Sequence, residues 1–340
     1  MKFAAKPVLD DLTLLSGRNN FKKDKAVFDH HISEPDAQDQ QDTIPNGRIF
    51  FEQVCKCLHI TKDKINIIHL IFGNIICSIL FIQTMKKPGL LIALAFCLCF
   101  GVRMVYAQQK APRFHVIALY ENGGHHVEYT NVAGPWLEKL AADSNFSIDF
   151  IQNTDLVDSA FLSKYQLFIQ LDYPPYAWKV KAVKAFEDYI EKGRGGWIGF
   201  HHATLLGEFD GYPMWNWFSK FMGDIVYKNY IPTFAKAKVN VEDPAHPVMK
   251  GVPASFTVEK EEWYTYNKSP RPNVHVLASV DETTYSPDSD IKMGDHPVVW
   301  TNPNVAARNV YIFMGHSPVL FNSEVYKKIF TNAIFWAAEK

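Results

Sequence analysis

Along the C-terminal part of the chain, the spacing of apolar residues switches repeatedly between a strand-like and a helix-like pattern. Phe114 to Tyr120 is a near-continuous apolar run rich in β-favouring residues, which predicts a buried strand. Asn131 to Ala142 carries Val132, Trp136, Leu137, Leu140 and Ala141 at helical spacing. Ser147 to Ile151 and Gln166 to Leu171 read as further strands. Lys179 to Lys192 reads as a helix with Val180, Val183, Phe186, Tyr189 and Ile190 on one face, stopped by Gly193, Gly195 and Gly196. Trp197 to Phe200 is a fourth strand and runs straight into His201 and His202. Strands alternating with helices at this spacing predict βαβ units, an α/β fold and a parallel sheet. Beyond Phe221 the pattern becomes strand-rich. Phe234–Val241, Ser255–Glu261, His275–Val280, Pro297–Thr301 and Asn309–Met314 are predicted short strands, and Ser323–Ala338 a closing helix.

The N-terminal part has a different character. All eight Trp lie at or beyond Trp136, all fifteen Tyr at or beyond Tyr106, and all five Cys at or before Cys99. Met85 accounts for this break. Lys86 and Lys87, the apolar run Leu90–Gly101 and the small residues at Val105 and Ala107 follow the order of a secretory signal peptide. The expected organisation is therefore a signal peptide over 85–107 and one domain over 108–340. Residues 1–84 are expected to be an upstream translation artefact, the alternative being an extension with an added membrane segment. This predicts a periplasmic or secreted protein that meets a membrane only through its signal segment. The domain would hold together without disulfides, since it contains no Cys. Its fold also lacks a thiol nucleophile. A formal net charge of −1 with no basic arm excludes nucleic acid as an expected partner.

In open parallel sheets, sites form beyond the carboxyl ends of strands. Three such ends carry unusual residues: Glu121 to His126, Asp172-Tyr173 and His201-His202. Strand alternation would point His201 and His202 in opposite directions. His125 and His126 follow two glycines that allow close approach to a ligand. If they met His201 together with Glu262 or His316, a divalent ion such as zinc would suit the donors. The same residues also suit general acid–base chemistry, and no tight ligand spacing decides between the two. Each pair has a plainer structural alternative, as hydrogen-bonded or solvent-facing side chains. His246 and His296 read as structural. Trp178, Trp215, Trp217 and Trp263 are candidates either for the core or to stack on a ligand at a cleft.

The ordered set of motifs resembles the ThuA-like (trehalose utilisation) family. Gly195 to Ala203, Asp243-Pro244-Ala245-His246-Pro247 with Gly251 and Pro253, and Glu261-Glu262-Trp263-Tyr264 are similar to three of its stretches. His296 to Trp300, Arg308 to Tyr311, Gly315-His316 and Trp336-Ala337 are similar to its C-terminal signature. The resemblance implies a flavodoxin-like, doubly wound, mostly parallel sheet of the class I glutamine amidotransferase type, with additional C-terminal β-strands. It places His201 where those amidotransferases carry a catalytic Cys, so thiolate-driven amidotransfer is excluded. It also favours Glu262 over Glu261 as the inward carboxylate. Two departures stand out: His202 where relatives usually have Ser, and Tyr227 to Pro232 where relatives often have a His-Pro pair. The expected catalytic residues are His201, Glu262 and His316. The expected substrate contacts are His125, His126, Asp172, Tyr173, His202, Trp263 and Tyr264. The expected ligand is a small sugar (a disaccharide, glycoside or keto-sugar). The expected function is an enzyme using His/Glu acid–base chemistry with or without a divalent metal, the alternative being a non-catalytic sugar-binding domain. Self-association into a homo-oligomer is compatible with all of this.

Overall fold

The computed structural model describes residues 111–121 and 127–339. The predicted signal segment, residues 1–84, His125 and His126 lie outside the described residues. Among the described residues no helix is long and apolar enough to cross a membrane.

The predicted alternation is present. β1 (His115–Tyr120), α1 (Val127–Ser144), β2 (Ser147–Ile151), α2 (Ser159–Leu162), β3 (Leu167–Leu171), α3 (Val180–Glu191) and β4 (Gly196–Phe200) follow in order. A helix α4 (Asn216–Phe221) then leads to β5 (Tyr227–Tyr230), β6 (Ala235–Val241), β7 (Ser255–Glu261), β8 (Tyr264–Tyr266), β9 (His275–Ser286), β10 (Pro297–Thr301), β11 (Asn309–Ile312) and α5 (Glu324–Ala338). β9 runs on to Ser286, past the predicted stop at Val280, because its far end pairs with Lys236 and Lys238 of β6. β11 ends at Ile312, and Phe313 to His316 leave the sheet. The short elements α2, α4, β5 and β8 carry too few residues for a clear period.

One nine-stranded sheet runs in the order β2-β1-β3-β4-β11-β10-β9-β6-β7. β2, β1, β3, β4 and β11 are mutually parallel. That is the flavodoxin-like order, with β11 recruited from the end of the chain as its fifth strand. β10, β9, β6 and β7 extend it as antiparallel strands. β5 and β8 form a separate two-stranded ribbon.

Helices cover both faces of the parallel half. Phe200 packs on Phe330 of α5 at 4.5 Å, while Trp197, three residues earlier and so on the other face, packs on Phe218 and Phe221 of α4. Trp136 of α1 lies 5.0 Å from Phe330, joining the helices of the first face. β3 and β4 are buried throughout, as expected of strands with helices on both sides. Gly196 lets α5 approach the sheet, since a Cβ there would meet the Ala337 carbonyl. α5 itself is capped by Ser323, whose side chain accepts from the Tyr326 N–H.

Candidate active site at the carboxyl edge of the sheet

The carboxyl ends of β1, β3, β4 and β11 converge. Glu121 follows β1, Asp172 follows β3, His201 and His202 follow β4, and His316 follows β11 by four residues. Two of these residues hold unusual backbone angles: φ is +50° at Asp172 and +31° at His201. Non-glycine residues at positive φ carry strain that persists only where surrounding structure fixes it. At His201 the fixing groups are visible. Its carbonyl oxygen lies 3.0 Å from both Thr204 Oγ1 and the Tyr311 hydroxyl. The Tyr266 and Tyr311 hydroxyls each lie 2.8 Å from Thr204 Oγ1, so a buried hydroxyl cluster sits behind the turn.

His201 to Thr204 form a 3-10 turn, so the alternation expected of a strand does not apply. The two imidazoles stack instead, 5.3 Å apart at 28°, and both reach the site. His201 is fully buried and has a carboxylate at each ring nitrogen. Its Nε2 lies 3.3 Å from Glu262 Oε2, and its Nδ1 lies 3.9 Å from Glu261 Oε1. His316 Nε2 lies 3.9 Å from the same Glu262 oxygen. His202 belongs to a neighbouring group. Its Nδ1 lies 3.3 Å from Glu121 and 3.6 Å from Asp172, whose Oδ1 also accepts the His202 backbone N–H. Burial opposes charge on this imidazole, but Asp172 and Glu121 outweigh it and raise its pKa.

The expectation that only one of Glu261 and Glu262 turns inward is corrected. β7 ends at Glu261, so strand alternation stops there and both carboxylates face His201. Glu261 is completely buried and accepts backbone N–H groups from Glu262, Gly315 and His316. Burial pushes its pKa well up, with the hydrogen bonds pulling the other way. Burial also raises Glu262 to about 7, against the pull of His202 and a Tyr264 hydrogen bond. Gly315 has to be small, since a Cβ would come within 2.9 Å of the Phe200 Cβ and 3.1 Å of the His201 Cβ.

Tyr264 lies against His201, with ring centroids 4.2 Å apart, and forms one wall. Trp263, expected to touch substrate, does not reach the site. It is fully buried, stacks on Phe313 at 5.3 Å and donates to the Ala235 carbonyl. Trp178, Trp215 and Trp217 pack around Phe186 on one face of the sheet, with their indole N–H groups bound to Pro174, Glu187 and Glu191. Tyr173 and Tyr176 line an open cavity of about 400 Å³ with Glu121, Gln152 and Asn153. This cavity sits between the ends of β1, β2 and β3, where the strand order reverses. Glu121 belongs to both the cavity wall and the His202 group. His246 caps a short turn by accepting the Val248 N–H, and buried His296 pairs with Glu282 at 2.9 Å.

The sequence reading does not single out Gln152 or Tyr176, names Glu121 only as the start of an unusual strand end, and sets Glu261 aside in favour of Glu262. Glu121 had the same signal as Asp172, a carboxylate directly after a strand. Two groups among the described residues bring three metal-capable ligand atoms within 4.8 Å of one another: His201, Glu262 and His316, and Glu121, Asp172 and His202.

A family model for ThuA, trehalose utilisation, matches residues 115–337. The chain belongs to the ThuA family. A ThuA-like protein from Bacteroides uniformis, known from its crystal structure, is 32% identical, with 67% of this chain and 92% of that chain covered and a TM-score of 0.61. A ThuA-like protein from Parabacteroides merdae shares the fold at 19% identity and a TM-score of 0.51, covering 67% of this chain and 90% of its own. A search of curated proteins gave no match. Membership of ThuA ties the chain to a carbohydrate-related role and to the amidotransferase-like fold.

Proposed function

We propose that this ThuA chain is an exported enzyme that moves protons on a disaccharide, glycoside or keto-sugar, with His201, Glu262 and His316 at the reacting centre. The observation that carries the reading is the approach of His201 and His316 to one Glu262 oxygen, at 3.3 and 3.9 Å, on the edge of the sheet where ligands of this fold class bind. An imidazole and a carboxylate side by side supply an acceptor and a donor for a C–H or O–H proton next to a sugar carbonyl. The neighbouring cavity supports a sugar rather than an apolar ligand. Its walls offer a carboxylate, two amides and two tyrosines, the mix of polar groups and aromatic area that hydroxylated rings require. A divalent ion is compatible with the same donors.

Turnover of a panel of disaccharides, glycosides and their keto-derivatives, compared between the wild type and His201→Ala or Glu262→Gln, tests the proposal. Loss of turnover in both variants is the expected result. A panel that binds but is never converted would favour the alternative, a sugar-binding domain. Export is checked separately: N-terminal sequencing of native protein should begin near Gln108.

A further inference from the structure

Within the proposed reacting centre, three side chains are arranged as ion ligands and not merely as hydrogen-bond partners. Glu262 Oε2 faces two imidazole nitrogens at once, His201 Nε2 at 3.3 Å and His316 Nε2 at 3.9 Å. A hydrogen bond accounts for the shorter approach, but 3.9 Å is too long for one. Both separations suit ligation of a common ion. Metal–ligand bonds of about 2.1 Å at tetrahedral angles hold ligand atoms roughly 3.4 Å apart. All three ligand atoms fall within 4.8 Å of one another.

The surroundings match those of a metal centre. A ligating histidine usually presents its second nitrogen to a carboxylate, which fixes its orientation. Glu261 Oε1 is the carboxylate on that side of His201, 3.9 Å from Nδ1 and so facing it at more than hydrogen-bond length. Glu261 also accepts the backbone N–H groups of Glu262, at 3.0 Å, and His316, at 3.3 Å. One buried carboxylate therefore holds the backbones of Glu262 and His316 and faces His201, and Glu261 is their positioning residue. The neighbouring group Glu121, Asp172 and His202 is arranged differently. Two carboxylates converge there on one imidazole nitrogen, and the Asp172 oxygen nearest it is occupied by a backbone N–H. That pattern is an ion pair.

We infer that His201, Glu262 and His316 bind one divalent first-row cation, for which zinc is the best-matched ion. Two imidazoles and one carboxylate are the donor types of catalytic zinc sites, whereas closed structural sites favour thiolates. The inference rests on the reading of this site as a reacting centre and deepens it. Ligation would replace direct proton transfer by His201 and Glu262: a bound ion would polarise a sugar oxygen at the same centre, and the proton acceptor would be the neighbouring His202 with Asp172 and Glu121.

The test measures metal without measuring turnover. The chelator-stripped full chain is titrated with Zn²⁺ by calorimetry, bound zinc is counted by elemental analysis, and the unfolding temperature is followed with and without Zn²⁺. Where residues before Gln108 are retained, their cysteines can take zinc on their own, so the result is the difference between wild type and variant. Glu262→Gln and His316→Ala should each lose one ion per chain, or bind it at least ~100-fold more weakly, along with the zinc-dependent rise in unfolding temperature. Glu261→Gln should bind it about 10–100-fold more weakly, as removal of a supporting carboxylate does. His275→Ala, at an exposed histidine, should match the wild type. A wild type that holds no more zinc than Glu262→Gln and His316→Ala overturns the inference. So does loss of the ion in His202→Ala with retention in those two variants. Zinc binding without sugar turnover would sink the enzymatic reading alone; turnover that needs His201 but no metal would sink the metal site alone.

Discussion

The two halves of the sheet contribute to the site in different ways. The parallel half, β2-β1-β3-β4-β11, delivers residues from strand ends: Glu121, Asp172, His201, His202 and, four residues on, His316. The antiparallel half ends at its outer edge in β7, yet it delivers Glu261 and Glu262 to the same point. All three imidazoles thus come from the parallel half, and the acids nearest His201 and His316 come from the antiparallel one. Strand ends in a parallel sheet fix where a side chain starts, whereas the β7–β8 link carries its acids back across the sheet to meet them. Trp263, inside that link and stacked on Phe313 beyond β11, is the rivet between the halves.

The sharpest test of this division is catalytic. If the acid is as necessary as the base, Glu262→Gln and His201→Ala should each lower turnover by about 10²–10⁴-fold, and the double variant should be little worse than either. Near-normal turnover in Glu262→Gln would reduce the antiparallel half to scaffolding. Next in size is the rivet itself. Trp263→Ala should lower unfolding free energy in urea by about 3–5 kcal/mol, as removal of a fully buried indole does. Trp217→Ala, in the partly exposed aromatic cluster of the other half, should cost clearly less. Gly315→Ala tests the contact where the halves meet the elbow. Its methyl group would press on Phe200 and His201, and a loss of about 1–3 kcal/mol is expected, with turnover falling further than stability predicts.

The smallest effect concerns the antiparallel half alone. Arg271 binds Glu242 and Asp295 and so ties the segments after β6 and before β10 together. Its hydrogen bonds lower both carboxyl pKa values from their ordinary 4.5 and 3.8. Folded values below unfolded ones mean that the stabilisation is present above roughly pH 4.5 and is lost as pH falls through the folded values. All three side chains are about a third exposed or more, so Arg271→Met should cost about 1 kcal/mol or less near neutral pH. The difference from wild type should shrink toward pH 3 and in high salt. A constant difference across pH would show that the arginine acts by packing instead.

The same division explains what the sequence reveals. β1 to β4 and α3 are local units whose apolar spacing announces them, and the chemistry at Asp172, His201 and His202 is legible because it sits directly after strands. The pairing of β11 with β4 and of β6 with β9 joins residues far apart in the chain, and no local period encodes it. Glu121 was legible by the Asp172 rule and was passed over for the histidines beside it. The strand end at Glu261 is legible, since the predicted span Ser255–Glu261 matches β7, but the turn that brings both Glu261 and Glu262 to His201 depends on tertiary contacts that no local period encodes. Trp263 was misplaced because aromatic residues in a motif announce burial and ligand stacking equally. Only its indole bond to Ala235 distinguishes the two.

The hydroxyls of Thr204, Tyr266 and Tyr311 that hold the His201 carbonyl have one more consequence. A turn clamped from behind cannot swing when a ligand arrives, so its ordering cost is met during folding and not during binding. Ligand capture at His201 should therefore proceed with little conformational entropy loss. Loosening the clamp, as in Tyr311→Phe, should show itself less in the contacts made than in the temperature dependence of affinity.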